Sequence, residues 1–70
     1  MSLTLKQYRA NAGFSVTSLA KEAGLSRDAV ENAEKGDPIR AVTAWKISLA
    51  LTKRLNETVR VSDIEGLNIM

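Results

Sequence analysis

Residues 15–36 read SVTSLAKEAGLSRDAVENAEKG, a pattern that predicts two short helices joined by a tight turn. Ser15 and Ser26 each stand where a side-chain oxygen can accept from the free N–H groups of a first helical turn. Gly24 and Gly36 each stand where glycine ends a helix in the left-handed conformation without steric cost. Between them, apolar residues recur at helical spacing, namely Leu19, Ala20, Ala23, Ala29, Val30 and Ala33.

The junction between these two helices is short. Its residues 23–26 read A-G-L-S, which suits the turn of about three to four residues in a DNA-binding helix-turn-helix. The small side chain of Ala20 lies where the second helix must pass close by. In such a motif the second helix, here about residues 27–35, enters the major groove of DNA.

A first helix is predicted upstream of this pair. Leu5, Tyr8 and Ala12 recur at spacings of three and four, which predicts a helix over about residues 4–12 with Thr4 as its cap.

A fourth helix is predicted over about residues 39–55. Asp37 followed by Pro38 is a favourable helix start, because the fixed φ and missing N–H of proline cost nothing at a first helical position. Further on, Ser62 and Glu65 form the pattern of a capping box, which predicts a helix of one to two turns there. Together these patterns predict an all-α fold, a compact bundle of four main helices plus a short C-terminal helix, with the helix-turn-helix at helices 2–3.

Helix 4 carries apolar side chains around a wide arc. One stripe can pack on the helix-turn-helix, while a second stripe, formed by Val42, Trp45 and Leu49, needs another partner. Two partners fit this second stripe. One is the chain's own tail, which is rich in apolar side chains, and the other is a second copy in a homodimer.

The length and composition limit the possible functions. Seventy residues predict one domain over residues 1–70, with a core over 3–55 and a tail over 56–70 that packs on helix 4 or on a partner. The chain has no cysteine and no histidine, so it lacks thiolates, the commonest metal ligand and the usual general base. We therefore expect no metal site, no cofactor and no enzyme activity. No apolar run approaches the ~18 residues of a membrane span and the first residues are unlike a signal peptide, so we expect a cytoplasmic protein.

The charge is unevenly distributed along the chain. Residues 1–54 carry nine Lys and Arg against five Asp and Glu, whereas residues 55–70 carry one against three. The basic part contains the predicted helix-turn-helix, and this asymmetry is compatible with a surface that faces phosphates.

Several short motifs follow one another in a recognisable order. They are Leu5 with Arg9, Gly13-Phe14-Ser15, Leu19-Ala20, Gly24-Leu25-Ser26, Glu34-Lys35-Gly36 and Lys46-Ile47-Ser48-Leu49-Ala50-Leu51. Over roughly residues 3–55 the chain thus resembles the phage-repressor-like, XRE-type helix-turn-helix family. The resemblance implies a transcriptional regulator that binds double-stranded DNA sequence-specifically, usually as a dimer on two-fold sites. It also implies an ion pair between Arg9 and Glu34 that orients the recognition helix, since a guanidinium can bond a carboxylate twice.

Some positions differ from the usual pattern of that family. Val16 stands where a glutamine that helps to hold DNA is common, and Ala33 replaces a large aliphatic residue. Asp28 and Glu31 place negative charge on the recognition helix. These differences favour an alternative function, a protein-interaction module of the same fold that acts as an antirepressor, an adapter or an antitoxin.

Docking in the major groove predicts which side chains contact DNA. Arg27 can bond guanine twice, Asp28 can accept from a cytosine amino group, and Asn32 can bond adenine twice. The alternatives are a role in the helix dipole for Asp28 and simple solvation for Arg27 and Asn32. Phosphate contacts are predicted around the starts of helices 2 and 3 and the exit of helix 3, from Ser15, Thr17, Ser26, Lys35 and Arg40. Lys53 and Arg54 lie past this footprint and are predicted to be solvated.

Overall fold

The computed structural model of the protein describes residues 3–70, and helices account for most of them. The helices are α1 (Leu5–Asn11), α2 (Val16–Ala23), α3 (Arg27–Lys35) and α4 (Ala41–Leu55), followed by a 3₁₀ helix (Val61–Asp63). Four two-residue strands are interspersed, namely β1 (Leu3–Thr4), β2 (Pro38–Ile39), β3 (Ile64–Glu65) and β4 (Asn68–Ile69). The predicted set of four main helices is confirmed, and the description as all-α is corrected by these small strands.

The ends of α2 and α3 follow from local chemistry. The Ser15 hydroxyl accepts from the Ser18 N–H at 3.0 Å, and the Ser26 hydroxyl accepts from the Ala29 N–H at 3.2 Å. Gly24 ends α2 with its φ at +70°. This is a left-handed backbone conformation, which residues other than glycine adopt only at an energetic cost. This turn redirects the chain within three residues, so that α3 begins at Arg27 and lies across α2.

The core lies where α2, α3 and α4 meet. Leu19, Val30, Ile47 and Leu51 are fully buried there, and each comes from a position that faces inward on its helix. Small side chains are buried here as well, among them Ala20 of α2. Close packing of this kind is the main source of helix stability in a chain of this size.

The C-terminal tail is part of the core. Val59 and Ile64 are both buried, and the Thr52 hydroxyl accepts from the Val59 N–H at 2.9 Å and donates to the Val59 carbonyl at 3.1 Å. Two short parallel ribbons attach the tail further. Strand β3 pairs with β1, with Leu3 opposite Ile64, and β4 pairs with β2.

Helix α4 begins at Ala41, so the prediction that it starts at the Asp-Pro pair is wrong. Pro38 and Ile39 are extended and pair with Asn68 and Ile69 of the tail. The Ile39 carbonyl accepts from the Met70 N–H at 2.8 Å, and the Ile39 side chain is buried. Strand pairing thus satisfies this backbone and buries a large side chain, and proline is tolerated at the first position of a strand.

The short C-terminal helix predicted from Ser62 and Glu65 is found only in part, as the single 3₁₀ turn Val61–Asp63. The Asp63 carboxylate accepts from the Arg60 N–H at 3.0 Å at the start of this turn. The next residues are extended, because Ile64 buries its side chain while its backbone pairs with β1. A helix of one to two turns has little stability of its own and gives way to this pairing.

The second apolar stripe of α4 remains exposed. Val42, Trp45 and Leu49 are 52%, 56% and 45% exposed, respectively. The alternative in which the chain's own tail covers this stripe is therefore wrong, since the buried residues of the tail join the main core instead. No helix within residues 3–70 combines the length and the apolar character needed to cross a membrane.

Candidate nucleic-acid interface

One side of α3 is polar and faces solvent. At 3.6 residues per turn, its members span an arc of about 140° around the helix. Four of them are exposed and Glu31 is half-buried. The set consists of Arg27, Asp28, Glu31, Asn32 and Lys35, and we call it the outward face of α3. The opposite side of the helix is anchored in the core by Val30 and Ala33.

The outward face of α3 is polar without being basic. Its two cations are balanced by two carboxylates. Arg27 Nε donates to Glu31 Oε1 at 3.1 Å, and their side chains are 67% and 37% exposed. This pair follows from the i,i+4 spacing, which places the two side chains on neighbouring turns. Glu31 thus contacts a predicted base-reading residue, a role that was visible in the sequence only as this spacing.

The start of α2 carries the predicted phosphate contacts Ser15 and Thr17. The Ser15 hydroxyl and the Ser18 side chain cap each other's backbone, with Ser15 N–H donating to Ser18 Oγ at 2.7 Å. The N–H groups of Val16 and Thr17 are the first two of the helix and have no acceptor within it. Thr17 is exposed beside them, so this end of α2 presents donors to an anion.

The remaining predicted phosphate contacts lie at the two ends of α3. Ser26 is exposed before its first turn, and Lys35 is exposed in its last turn. Arg40 is exposed just before α4, at the far side of the short strand β2. The structure therefore leaves all three side chains accessible to a ligand that lies along α3.

Arg9 and Glu34 are brought together. Arg9 Nε donates to Glu34 Oε2 at 2.7 Å, and Nη2 donates to Oε1 at 3.3 Å. Arg9 Nη1 also donates to the Phe14 carbonyl at 3.2 Å. The two side chains are only 17% and 15% exposed, so water competes weakly for them. One guanidinium thus joins α1, the segment before α2 and the last turn of α3.

Arg54 has a structural contact that the sequence analysis missed. Its Nε donates to the Ala12 carbonyl at 3.0 Å, and its guanidinium carbon lies 5.1 Å from the centroid of the Phe14 ring. Lys53 and Arg54 are both exposed, as predicted, and Arg54 makes these two contacts in addition. Nothing in the sequence pairs Arg54 with residues some forty positions earlier, apart from the general affinity of arginine for aromatic rings.

Two arginines, one in α1 and one in α4, therefore bond the connection between α1 and α2. Arg9 bonds the Phe14 carbonyl, and Arg54 bonds the Ala12 carbonyl. This connection leads directly into Ser15, the cap of α2. The connection that leads into α2 is thus bonded by side chains that do not belong to α2.

A helix-turn-helix family model matches residues 5–57, which is more than half of the chain. The match runs from α1 through α4 and includes every predicted DNA contact. No match was found among curated proteins or among solved structures. Within the described residues 3–70, no three Asp or Glu side chains are grouped as a metal site would require. The chain belongs to the XRE-type, lambda-repressor-like helix-turn-helix family, whose members are DNA-binding regulators.

Proposed function

We propose that this protein is a sequence-specific transcriptional regulator that places α3 in the major groove of double-stranded DNA. The observation that carries the proposal is the outward face of α3, which projects polar side chains while Val30 and Ala33 anchor the other side. A helix held in this way can present base-reading groups at a fixed depth. The family is regulatory and typically non-enzymatic, which agrees with this function.

Base reading falls to Arg27, Asp28 and Asn32. Arg27 must break its ion pair with Glu31 to reach a guanine. The free energies of the two contacts allow this exchange. An exposed i,i+4 ion pair is worth about 0.3–0.5 kcal/mol, whereas a bidentate arginine–guanine contact discriminates by about 1–3 kcal/mol. In the free protein, Arg27 pairs with Glu31 on the outward face of α3.

The residues that bind phosphates lie at the edges of the outward face of α3. The α2 start offers backbone donors with Ser15 and Thr17, and Ser26 lies at the start of α3. Lys35 and Arg40 add positive charge on the other side. Contacts of this kind set the register of the protein on the duplex and carry no sequence information themselves.

Arg9 and Glu34 act as positioning residues. Their ion pair lies at the end of α3 that is remote from Arg27, and both side chains are mostly buried. They therefore set the angle of the helix and do not read bases. Loss of this pair should change both affinity and specificity, because the whole helix shifts.

The salt dependence of binding tests the proposal. With Lys35 and Arg40 as the cationic phosphate contacts, log K should fall with log salt at a slope near −1.8 per subunit. Affinity per subunit should then drop about 12-fold between 50 and 200 mM salt. Lys35→Ala should weaken all sequences alike and reduce the slope by about one, while Lys6→Ala, an exposed lysine on α1, serves as the matched control.

Selection from random duplex DNA tests the base contacts. The wild-type chain should enrich a defined half-site, and Arg27→Ala or Asn32→Ala should each relax one position of it by about 1–3 kcal/mol. Failure to enrich any sequence, together with a flat salt response, would contradict DNA recognition.

A second candidate function is a protein-interaction module of the same fold, which acts as an antirepressor, an adapter or an antitoxin. The specific observation in its favour is the balanced charge on the outward face of α3, since two carboxylates there oppose a phosphate backbone. The selection experiment separates the two functions, because an interaction module leaves the DNA pool unenriched.

A further inference from the structure

Arg54 lies in the last turn of α4, and the fold brings it beside the segment that leads into α2. Its Nε donates to the Ala12 carbonyl at 3.0 Å, and its guanidinium carbon lies 5.1 Å from the centroid of the Phe14 ring. Its Nη2 lies 4.0 Å from the point where a side chain at Gly13 would begin. The guanidinium thus lies alongside the three residues that precede Ser15, the cap of α2.

Most of the hydrogen-bonding capacity of Arg54 is unused. A guanidinium carries five N–H donors, and the Ala12 carbonyl takes only the one on Nε. Among the described residues 3–70, neither terminal nitrogen of Arg54 makes a hydrogen bond, and neither ion pair found there includes Arg54. The side chain is also exposed. Four donors and a full positive charge are therefore accessible to a ligand.

Arg9, the other arginine at this segment, has no such reserve. All three of its nitrogens donate, two to Glu34 and one to the Phe14 carbonyl, and its side chain is mostly buried. Arg54 is held by its Nε alone, so the edge of the guanidinium formed by Nη1 and Nη2 stays open. That edge can bond two oxygens of one phosphate.

We propose that Arg54 binds a phosphate of the DNA strand that meets the start of α2. This inference rests on the proposed function, in which Ser15, Thr17 and the first N–H groups of α2 contact the backbone. Those groups are neutral, whereas Arg54 brings a positive charge to the segment just before them. It thereby compensates for Val16, which offers no polar side chain at the position where related proteins have a glutamine.

The contacts with Ala12 and Phe14 prepare Arg54 for this role. They hold the guanidinium in place in the free protein, so less side-chain freedom is lost when a phosphate binds. Lys53 precedes Arg54 and is equally exposed, but successive residues of a helix point about 100° apart. Lys53 instead lines a groove that it shares with Glu22. It is therefore a matched control with the same charge in the same turn.

The salt dependence of DNA binding measures the charge that Arg54 contributes. Lys35 and Arg40 alone give a slope near −1.8 per subunit, and a third cationic contact steepens it to about −2.7. Wild-type affinity per subunit should therefore fall about 40-fold between 50 and 200 mM salt, and that of Arg54→Gln only about 12-fold. Arg54→Lys keeps the charge and should keep the steeper slope, as should Lys53→Gln.

The slope also separates a DNA contact from a purely structural role of Arg54. A variant that is partly unfolded loses active protein at every salt concentration, so its affinity falls while its slope stays that of wild type. Circular dichroism at each salt concentration measures the folded fraction. Equal slopes for Arg54→Gln and wild type would overturn the inference, whatever their affinities.

Neutral methylphosphonates, placed one at a time along the selected half-site, locate the contact. One of them should weaken binding of wild type and of Lys53→Gln alike, and should have no further effect on Arg54→Gln. The bases selected by Arg54→Gln should be those of wild type, because phosphate contacts carry no sequence information. The inference fails if no phosphate distinguishes Arg54→Gln from wild type.

These outcomes distinguish the inference from the proposed function. Sequence-specific binding with an unchanged slope in Arg54→Gln would refute the role of Arg54 alone. A wild-type chain that binds no duplex would refute the proposed function, and the role of Arg54 with it.

Discussion

Arg9 holds Glu34 through two nitrogens, with Nε 2.7 Å from Oε2 and Nη2 3.3 Å from Oε1. The chain contains a second arginine–glutamate pair, between Arg27 and Glu31, whose side chains are far more exposed. The two pairs have the same chemistry and differ in their access to water. They therefore offer an internal comparison of what burial contributes to an ion pair.

The first prediction concerns these pairs. Glu34→Ala should lower the free energy of unfolding by about 2–4 kcal/mol, since it leaves a mostly buried guanidinium without its carboxylate. Glu31→Ala should cost about 0.5 kcal/mol or less, as expected for an exposed pair. Urea denaturation followed by circular dichroism measures both variants. Equal losses at the two positions would contradict the structural role of the Arg9 pair.

The second prediction concerns Arg54. Arg54→Ala should lower the free energy of unfolding by about 1–2 kcal/mol, because it removes a hydrogen bond to the Ala12 carbonyl and a cation from the Phe14 ring. Lys53→Ala is the neighbouring control and should change stability by less than about 0.5 kcal/mol. Thermal unfolding of the two variants measures the difference. A similar midpoint for both would show that the Arg54 contacts contribute nothing.

The third prediction concerns Glu31 in DNA binding. Glu31→Gln should raise affinity for duplex DNA about twofold or more, because it frees Arg27 from a pair worth about 0.3–0.5 kcal/mol and removes a negative charge near phosphates. Fluorescence anisotropy with a labelled duplex measures the change. Glu57→Gln makes the same charge change in the loop after α4 and should leave affinity nearly unchanged. Weaker binding by Glu31→Gln would indicate that this carboxylate itself contacts DNA.

The fourth prediction concerns the tail. Ile64→Ala should lower the free energy of unfolding by about 2–4 kcal/mol, because Ile64 is 4% exposed and its loss leaves a cavity. Ile69→Ala removes the same atoms from a position that is 41% exposed, and should cost about 1 kcal/mol or less. Urea midpoints of the two variants give the comparison. Similar small losses would mean that the tail packs only loosely on the core.

Local signals were sufficient to predict the helix-turn-helix. Ser15 and Ser26 cap their helices and Gly24 ends α2, because each acts through neighbours within four residues. The amino-acid pattern also placed the apolar sides of α2 and α3. These features could be predicted because they depend on short-range interactions, and these interactions persist in the folded chain.

Pairing between residues that are distant in sequence explains why the start of α4 was predicted wrongly and the form of the tail only in part. The start of α4 and the form of the tail depend on Ile39 meeting Ile69 and on Leu3 meeting Ile64, across much of the chain. Local patterns such as Asp-Pro favour helix at those points, and tertiary pairing overrides them. The contact of Arg54 with Phe14 is hidden for the same reason. The DNA contacts themselves stay predictions, since they depend on a ligand.

The two parallel ribbons also bear on how the chain reaches this state. Each helix forms from neighbours in sequence, whereas the pairing of Leu3 with Ile64 joins almost the two extremities of the described chain. Closing so long a loop has an entropic cost that only the finished core can offset. We therefore expect the ribbons to close late, and folding to be slower than for a purely helical bundle with only local contacts. During synthesis, this closure requires that residues 64–69 are already free to dock.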